Sequence, residues 1–299
     1  MAIQRFVDAH VHLWKLDHIR YPWLTPPFSP DGPNGSVEPI ALDYGLSDYF
    51  RDATGFPVAK LVHIDAGAHP DDALKETHWL QDMAYGRGFP NAIVAFAALN
   101  DPGVEALLEK HVQNRNVRGV RHILNWHPDP ARTYTLRDLL EDEALANGYA
   151  LLGKHHLSFD LQIYPNQMIA AHRLASRFPN VPVIINHMGM PIASEVAEGL
   201  ARWKSGLHLM ATLPHVSIKV SGLGFYDRGW TMDSIRPLIL EVIDRFGTDR
   251  VMFASDFPTD KLFNPYAAAL NAYDAITSDF SPDERNAMFA ANAERIYRI

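Results

Sequence analysis

Four groups of residues in this chain have side chains and spacings suited to chemistry. The first is Asp8-Ala9-His10-Val11-His12. Side chains two apart on a strand share a face. A strand here turns Asp8, His10 and His12 one way and leaves Val7, Ala9 and Val11 to pack against helices. Two imidazoles on one face can chelate one divalent ion. The second is His187, which follows the apolar run 181–186 and precedes Gly189 and Pro191, the marks of a sharp turn. The third is Asp256, at the end of a buried-type run. An unpaired carboxylate there is costly, so it needs a cation or a catalytic task, unless it caps the segment that begins near Pro258. The fourth is Ser217-Ile218-Lys219-Val220-Ser221. Its alternation puts Ser217, Lys219 and Ser221 on one face. Lys219 would polarise a carbonyl or hold an anionic group, or else snorkel outward between helices. Arg121-His122 ends a further apolar run, and one of the two must face inward. Arg121 would suit a carboxylate. His63, His127, His155 and His156 read as structural or peripheral.

These groups must be positioned by a repeating scaffold. Eight short runs rich in Val, Ile and Phe read as strands: 3–9, 58–64, 92–98, 117–123, 158–164, 181–186, 215–220 and 250–255. Helix-like segments separate them at 71–86, 102–115, 136–147, 165–178, 194–212, 232–246 and 264–279. A last helix over 282–296 is expected outside the sheet. Asp101-Pro102, Asn264-Pro265 and Ser281-Pro282 read as helix starts, and Gly148 and Gly247 as stops. The stretch 20–55 is rich in Pro and aromatics and reads as a long loop with a short helix near 46–53. Long loops in compact domains are usually lids or binding loops. Alternating strands and helices imply a parallel sheet. Eight units close into a (β/α)₈ barrel, a single α/β domain over 1–299. The open doubly wound alternative usually carries a Gly-rich loop after its first strand, and His-Val-His-Leu-Trp stands there instead. In the barrel, strand C-termini carry the chemistry, and all four groups fall at such ends.

Composition narrows the function. There is no cysteine, so any metal must be held by His and carboxylates. The net charge of −8 argues against a nucleic-acid binder. No run of about 18 apolar residues predicts a membrane span. No leader segment is evident and Cys is absent, which fits a cytoplasmic location. Without a Gly-x-Ser-x-Gly elbow or a Cys nucleophile, acyl-enzyme chemistry is not expected.

The combination of His10, His12, His187 and Asp256 at those strand ends resembles the amidohydrolase superfamily. The strings VDAHVHLW (7–14), YPWL (21–24), GVRHIL (119–124), FDLQIYPNQM (159–168), INHMGMP (185–191), KVSGLG (219–224) and FASDFP (253–258) are similar to the amidohydrolase-2 branch, which contains sugar-lactone and pyrone-dicarboxylate lactonases. The resemblance implies a lactone hydrolase with metal ligands His10, His12, His187 and Asp256, and catalytic roles for Asp256 and His187. Strand five offers Gln162 and Tyr164 where many members have a His, which argues for one divalent ion, zinc being the candidate, or for none. On this reading Asp256 activates water, and Arg121 and Lys219 hold an anionic small-molecule lactone. Trp14, Tyr21, Trp23, Tyr164 and Tyr226 wall the pocket. A homo-oligomer is compatible with it. The rivals are a mononuclear decarboxylase of the same superfamily and a non-catalytic metabolite-binding barrel.

Overall fold

A computed structural model describes residues 2–31 and 34–299. Eight strands run parallel in sequential order: β1 (Phe6–Val11), β2 (Val58–Ile64), β3 (Ala92–Phe96), β4 (Val117–Ile123), β5 (Ser158–Gln162), β6 (Val183–Ile185), β7 (Val216–Val220) and β8 (Val251–Phe253). The ring closes beyond the end of β8. Val11 bridges Phe257 in parallel, the Asp256 amide donates to the His10 carbonyl (2.9 Å), and the His12 amide donates to the Phe257 carbonyl (2.8 Å). The expected (β/α)₈ barrel is present, and β2 and β4 have the expected bounds.

Two separate apolar clusters show how the strands are oriented. Val7, Ala9, Val62, Ile64, Val94, Ile184, Met252 and Ala254 fill the barrel lumen. Phe6, Val11, Leu61, Ile93, Val120, Phe159, Ile218 and Phe253 pack against the surrounding helices. This corrects the expected phase of β1, because Val7 and Ala9 point inward. Asp8 points outward to Tyr49 and Tyr266, on the helices Leu46–Asp52 and Tyr266–Ile276. The register shifts between Asp8 and Val11, where three steps on β1 oppose two on β2. Such a bulge inserts one residue and reverses the alternation beyond it, so His10 and His12 also turn inward. The Asp8 carboxylate lies 3.4 Å from the His10 amide at this irregularity.

Other boundaries also differ from expectation: the helix read as starting at Asn264-Pro265 has Pro265 as its N-cap and begins at Tyr266. The helix expected at 136–147 is Glu143–Lys154, started by Asp142, whose carboxylate accepts from the Ala144 amide (3.0 Å). Gly148 therefore lies inside that helix and does not end it. A Cβ there would stand 1.9 Å from the Leu99 carbonyl oxygen, so the glycine permits close helix–loop contact. Asp101 caps a turn at Gly103, and its helix begins at Val104. By contrast, Ser281 caps as expected, with Pro282 in the first helical position and Glu284 closing the capping box.

The C-terminal helical stretch 282–297 does not lie wholly outside the barrel. Its Ala290, Ala293 and Tyr297 join the lumen cluster and close the end opposite His10, His12, His187 and Asp256. Residues of the stretches 22–29 and 34–37 line the other mouth. Trp23 is pinned there by its indole N–H, which donates to the Ala66 carbonyl (2.7 Å). Among the described residues no helix is long and apolar enough to cross a membrane.

Candidate active site

The bulge on β1 brings His10 and His12 to the floor of a cavity of about 480 Å³, and His12 lines it directly. Their Nε2 atoms are 3.2 Å apart. The carbonyl of Ile64 can only accept, so His12 Nδ1 donates to it (2.8 Å) and the Nε2 lone pair faces the cavity. That is the arrangement a metal-binding imidazole needs. His187 follows β6, with Nδ1 3.0 Å from the Ser221 hydroxyl. Its ring centroid lies 4.6 Å from that of His10. Burial holds all three imidazoles well below the ordinary histidine value, His12 at about 3, so they are neutral at neutral pH.

Asp256 joins them from the turn after β8. Its Oδ1 is 3.4 Å from His10 Nε2 and 3.3 Å from His12 Nε2. Neither carboxylate oxygen has a hydrogen-bond partner, although the residue is only 1% exposed. Burial pushes its pKa well above the usual carboxylate range, and nearby Arg121 and Lys219 oppose the shift. The backbone at this floor is strained as well. His187 and Asp256 have φ of 51° and 59°, the left-handed region, which costs an L-residue roughly 1–2 kcal/mol. Strain of this kind persists where surrounding structure enforces it, and it clusters at functional sites.

An orphaned buried carboxylate beside neutral imidazoles suits a divalent cation. His10, His187 and Asp256 each offer a ligand atom within 4.8 Å of the others. His12 Nε2 lies as close to Asp256 as His10 does, but that three-residue set does not include it.

Arg121, rather than His122, faces the cavity. Its Nε and one terminal nitrogen donate to Asp65, and the other terminal nitrogen donates to Gln162 Oε1 (3.1 Å). Two of its five N–H groups are left for a ligand. His122 turns instead toward Phe96 and accepts from the Leu99 amide.

The structure withdraws five of the expected substrate contacts. Lys219 faces the lumen but is fully buried beneath His10, paired with Asp160 and 3.4 Å from His10 Nδ1. Asp160 in turn accepts from Tyr297 and Asn186. Lys219 thus orients the His10 ring and does not line the cavity. Trp14 lies one layer back, its indole N–H donating to the Leu42 carbonyl (2.6 Å) and its ring edge-on to Trp23. Tyr164 packs with Met190 and Ile192, and its hydroxyl donates to the Arg132 carbonyl (2.8 Å). Tyr226 packs on the outer core, because the short helix Leu223–Tyr226 turns its neighbour Phe225 into the cavity instead. Trp23 lines the cavity as expected. Tyr21 does not: it is buried behind the wall, its hydroxyl donating to Glu76. Asp65, Tyr134 and Phe225 were not anticipated. Asp65 immediately follows β2, so strand-end position alone points to it. The sequence around Tyr134 carries no comparable signal.

A family model described as Amidohydrolase matches residues 7–299. An uncharacterized protein, y4mH, of Sinorhizobium fredii is 40% identical over 98% of both chains. The L-fucono-1,5-lactonase of Burkholderia ambifaria is 27% identical over 98% of this chain and 95% of its own. The crystal structure of an amidohydrolase from Burkholderia multivorans with bound zinc is similar, with a TM-score of 0.81 and 26% identity over 98% of this chain and 99% of that one.

Proposed function

This chain belongs to the amidohydrolase family, and from that premise we propose that it opens a lactone by direct attack of water, with Asp256 as the base. One observation carries the reading. Asp256 is a buried carboxylate with both oxygens unpartnered, on strained backbone, at the floor of a cavity and within 3.4 Å of two imidazole nitrogens. The lactonase relatives support the bond type.

The chain's own residues divide the work. Asp256 accepts a proton from water as the water oxygen bonds to the carbonyl carbon. The ring C–O bond then breaks, and Asp256 returns the proton to the departing oxygen, giving an open hydroxy acid. His187 is held by Ser221 beside this point and orients the water. The two unused N–H groups of Arg121 hold a substrate oxygen. Lys219 fixes the His10 ring from below. A divalent ion held by His10, His12, His187 and Asp256 would polarise the carbonyl and stabilise the developing oxyanion. The zinc-containing relative makes zinc the candidate.

The test is acid release from a lactone panel by purified protein, with and without added zinc, alongside Asp256→Asn. Acid release by the wild type and its loss in the variant are the expected results. An Asp256→Asn protein that keeps its turnover would refute the role. Release of CO₂ from unsaturated carboxylic acids without acid release from lactones would move the chain to decarboxylation.

A further inference from the structure

Resting on the lactonase reading, the cavity wall narrows the substrate. We propose that this site takes an uncharged lactone bearing an apolar, ring-sized or alkyl substituent, rather than a polyhydroxylated sugar lactone or a carboxylate-bearing pyrone.

The polar groups able to meet a ligand are concentrated at the floor. There Arg121 keeps two N–H groups free, and Gln162 has its Oε1 committed to Arg121 and its amide nitrogen unused. The wall above is built by Pro22, Trp23, Pro27, Phe28, Val37 and Phe225. Most polar side chains in that wall are engaged by other groups of the protein. The Trp23 indole donates to the Ala66 carbonyl (2.7 Å). The Tyr134 hydroxyl donates to Asn34 Oδ1 (3.2 Å). The Thr25 hydroxyl donates to the Tyr21 carbonyl (3.0 Å), and Ser29 Oγ accepts from the Asp31 amide (3.2 Å). What remains toward the cavity is largely C–H and ring surface. A substrate with a hydroxyl on each ring carbon would lose water there without regaining its hydrogen bonds, which is unfavourable for each group. An apolar substituent gains by the same burial.

Charge points the same way. Arg121 is the cation lining the cavity among the described residues, and Asp65 already neutralises it. Lys219 is matched by Asp160 below the floor. A substrate carboxylate held against the wall, away from the reacting carbonyl, would meet no unpaired side-chain cation among the lining residues, and burying an unpaired charge is costly. Arg228 packs over Gly35 at the rim, but it is exposed to solvent and outside the lining.

The test compares kcat/KM for dihydrocoumarin and a δ-alkyl lactone with values for L-fucono-1,5-lactone and a pyrone carboxylate, in wild type and Phe28→Asn. The apolar lactones are expected to lead by tenfold or more, and Phe28→Asn is expected to erase most of that lead. Faster turnover of the sugar lactone or of the carboxylate would overturn this inference and leave the lactonase reading standing. Hydrolysis of no lactone at all would overturn both. An unchanged preference in Phe28→Asn, with the apolar lactones still leading, would overturn the assignment of selectivity to this wall.

Discussion

Asp8, within β1, and Asp256, just after the neighbouring β8, are buried aspartates on the same closed ring, and they are handled in opposite ways. Asp8 accepts from the Ser255 amide (2.8 Å), the Tyr49 hydroxyl (2.8 Å) and the Tyr266 hydroxyl (3.3 Å), and it lies beside the His10 amide at the bulge. Burial raises its pKa, and these hydrogen bonds pull it back. Asp256 has no such partners. The fold therefore can satisfy a carboxylate in this neighbourhood, and at one position it does not. A satisfied buried carboxylate is a structural part. An unsatisfied one carries a free-energy cost that a cation, a proton or a reacting water can relieve.

The comparison breaks most visibly in turnover. Asp256→Asn should lower kcat/KM for a lactone by about a thousandfold or more, some 4 kcal/mol, without lowering the urea midpoint. A variant that unfolds as readily as it loses activity would make Asp256 structural after all. The second contrast is in metal response. Zinc at about 100 times its dissociation constant should stabilise wild type by about 2.7 kcal/mol, measured by chemical denaturation. Asp8→Asn should keep that response and Asp256→Asn should lose most of it. If both variants respond alike, the ion does not use Asp256.

Asp8→Asn should itself cost about 2 kcal/mol in urea denaturation, because the new amide N–H₂ faces donors that were formerly accepted. Activity per folded molecule should fall far less than in Asp256→Asn. A neutral effect on stability would show that Asp8 does not hold the bulge.

The last contrast lies in pH. Asp256 titrates above its unfolded value in the folded chain. Its favourable contribution is present below about pH 4 and disappears as pH rises through the folded value. In metal-free protein, the stability of Asp256→Asn relative to wild type should therefore increase toward neutral pH, by up to about 1.4 kcal/mol per unit. The imidazoles act in the opposite sense. His12 is held at about 3, so its contribution is lost as pH falls from about 6.5 toward 3. That loss lies on the acid side, away from the neutral range in which the difference is read. A flat difference would mean that Asp256 is already paired.

The strand-end logic of a barrel made much of this legible. Eight apolar runs, a His pair after the first and an Asp after the last suffice to place His10, His12, His187 and Asp256 at one mouth. Strict alternation failed on β1, because a bulge is a register event between two strands and leaves no mark in one of them. Trp14, Tyr164 and Tyr226 looked like wall residues by type. Their directions depend on partners far along the chain: Leu42 for Trp14, Arg132 for Tyr164, and the turn of a four-residue helix for Tyr226. Lys219 was expected to meet substrate. Its pairing with Asp160 and Tyr297 depends on the C-terminal helix closing the lumen, which no local pattern announces.

The left-handed backbone at His187 and Asp256 has a consequence for anyone evolving this protein in the laboratory. Glycine is the residue best suited to that conformation. A selection for heat resistance alone would therefore be rewarded for replacing either residue, and it would converge on a hardier barrel with nothing left at its mouth. Screens on this scaffold need turnover as a second criterion from the first round.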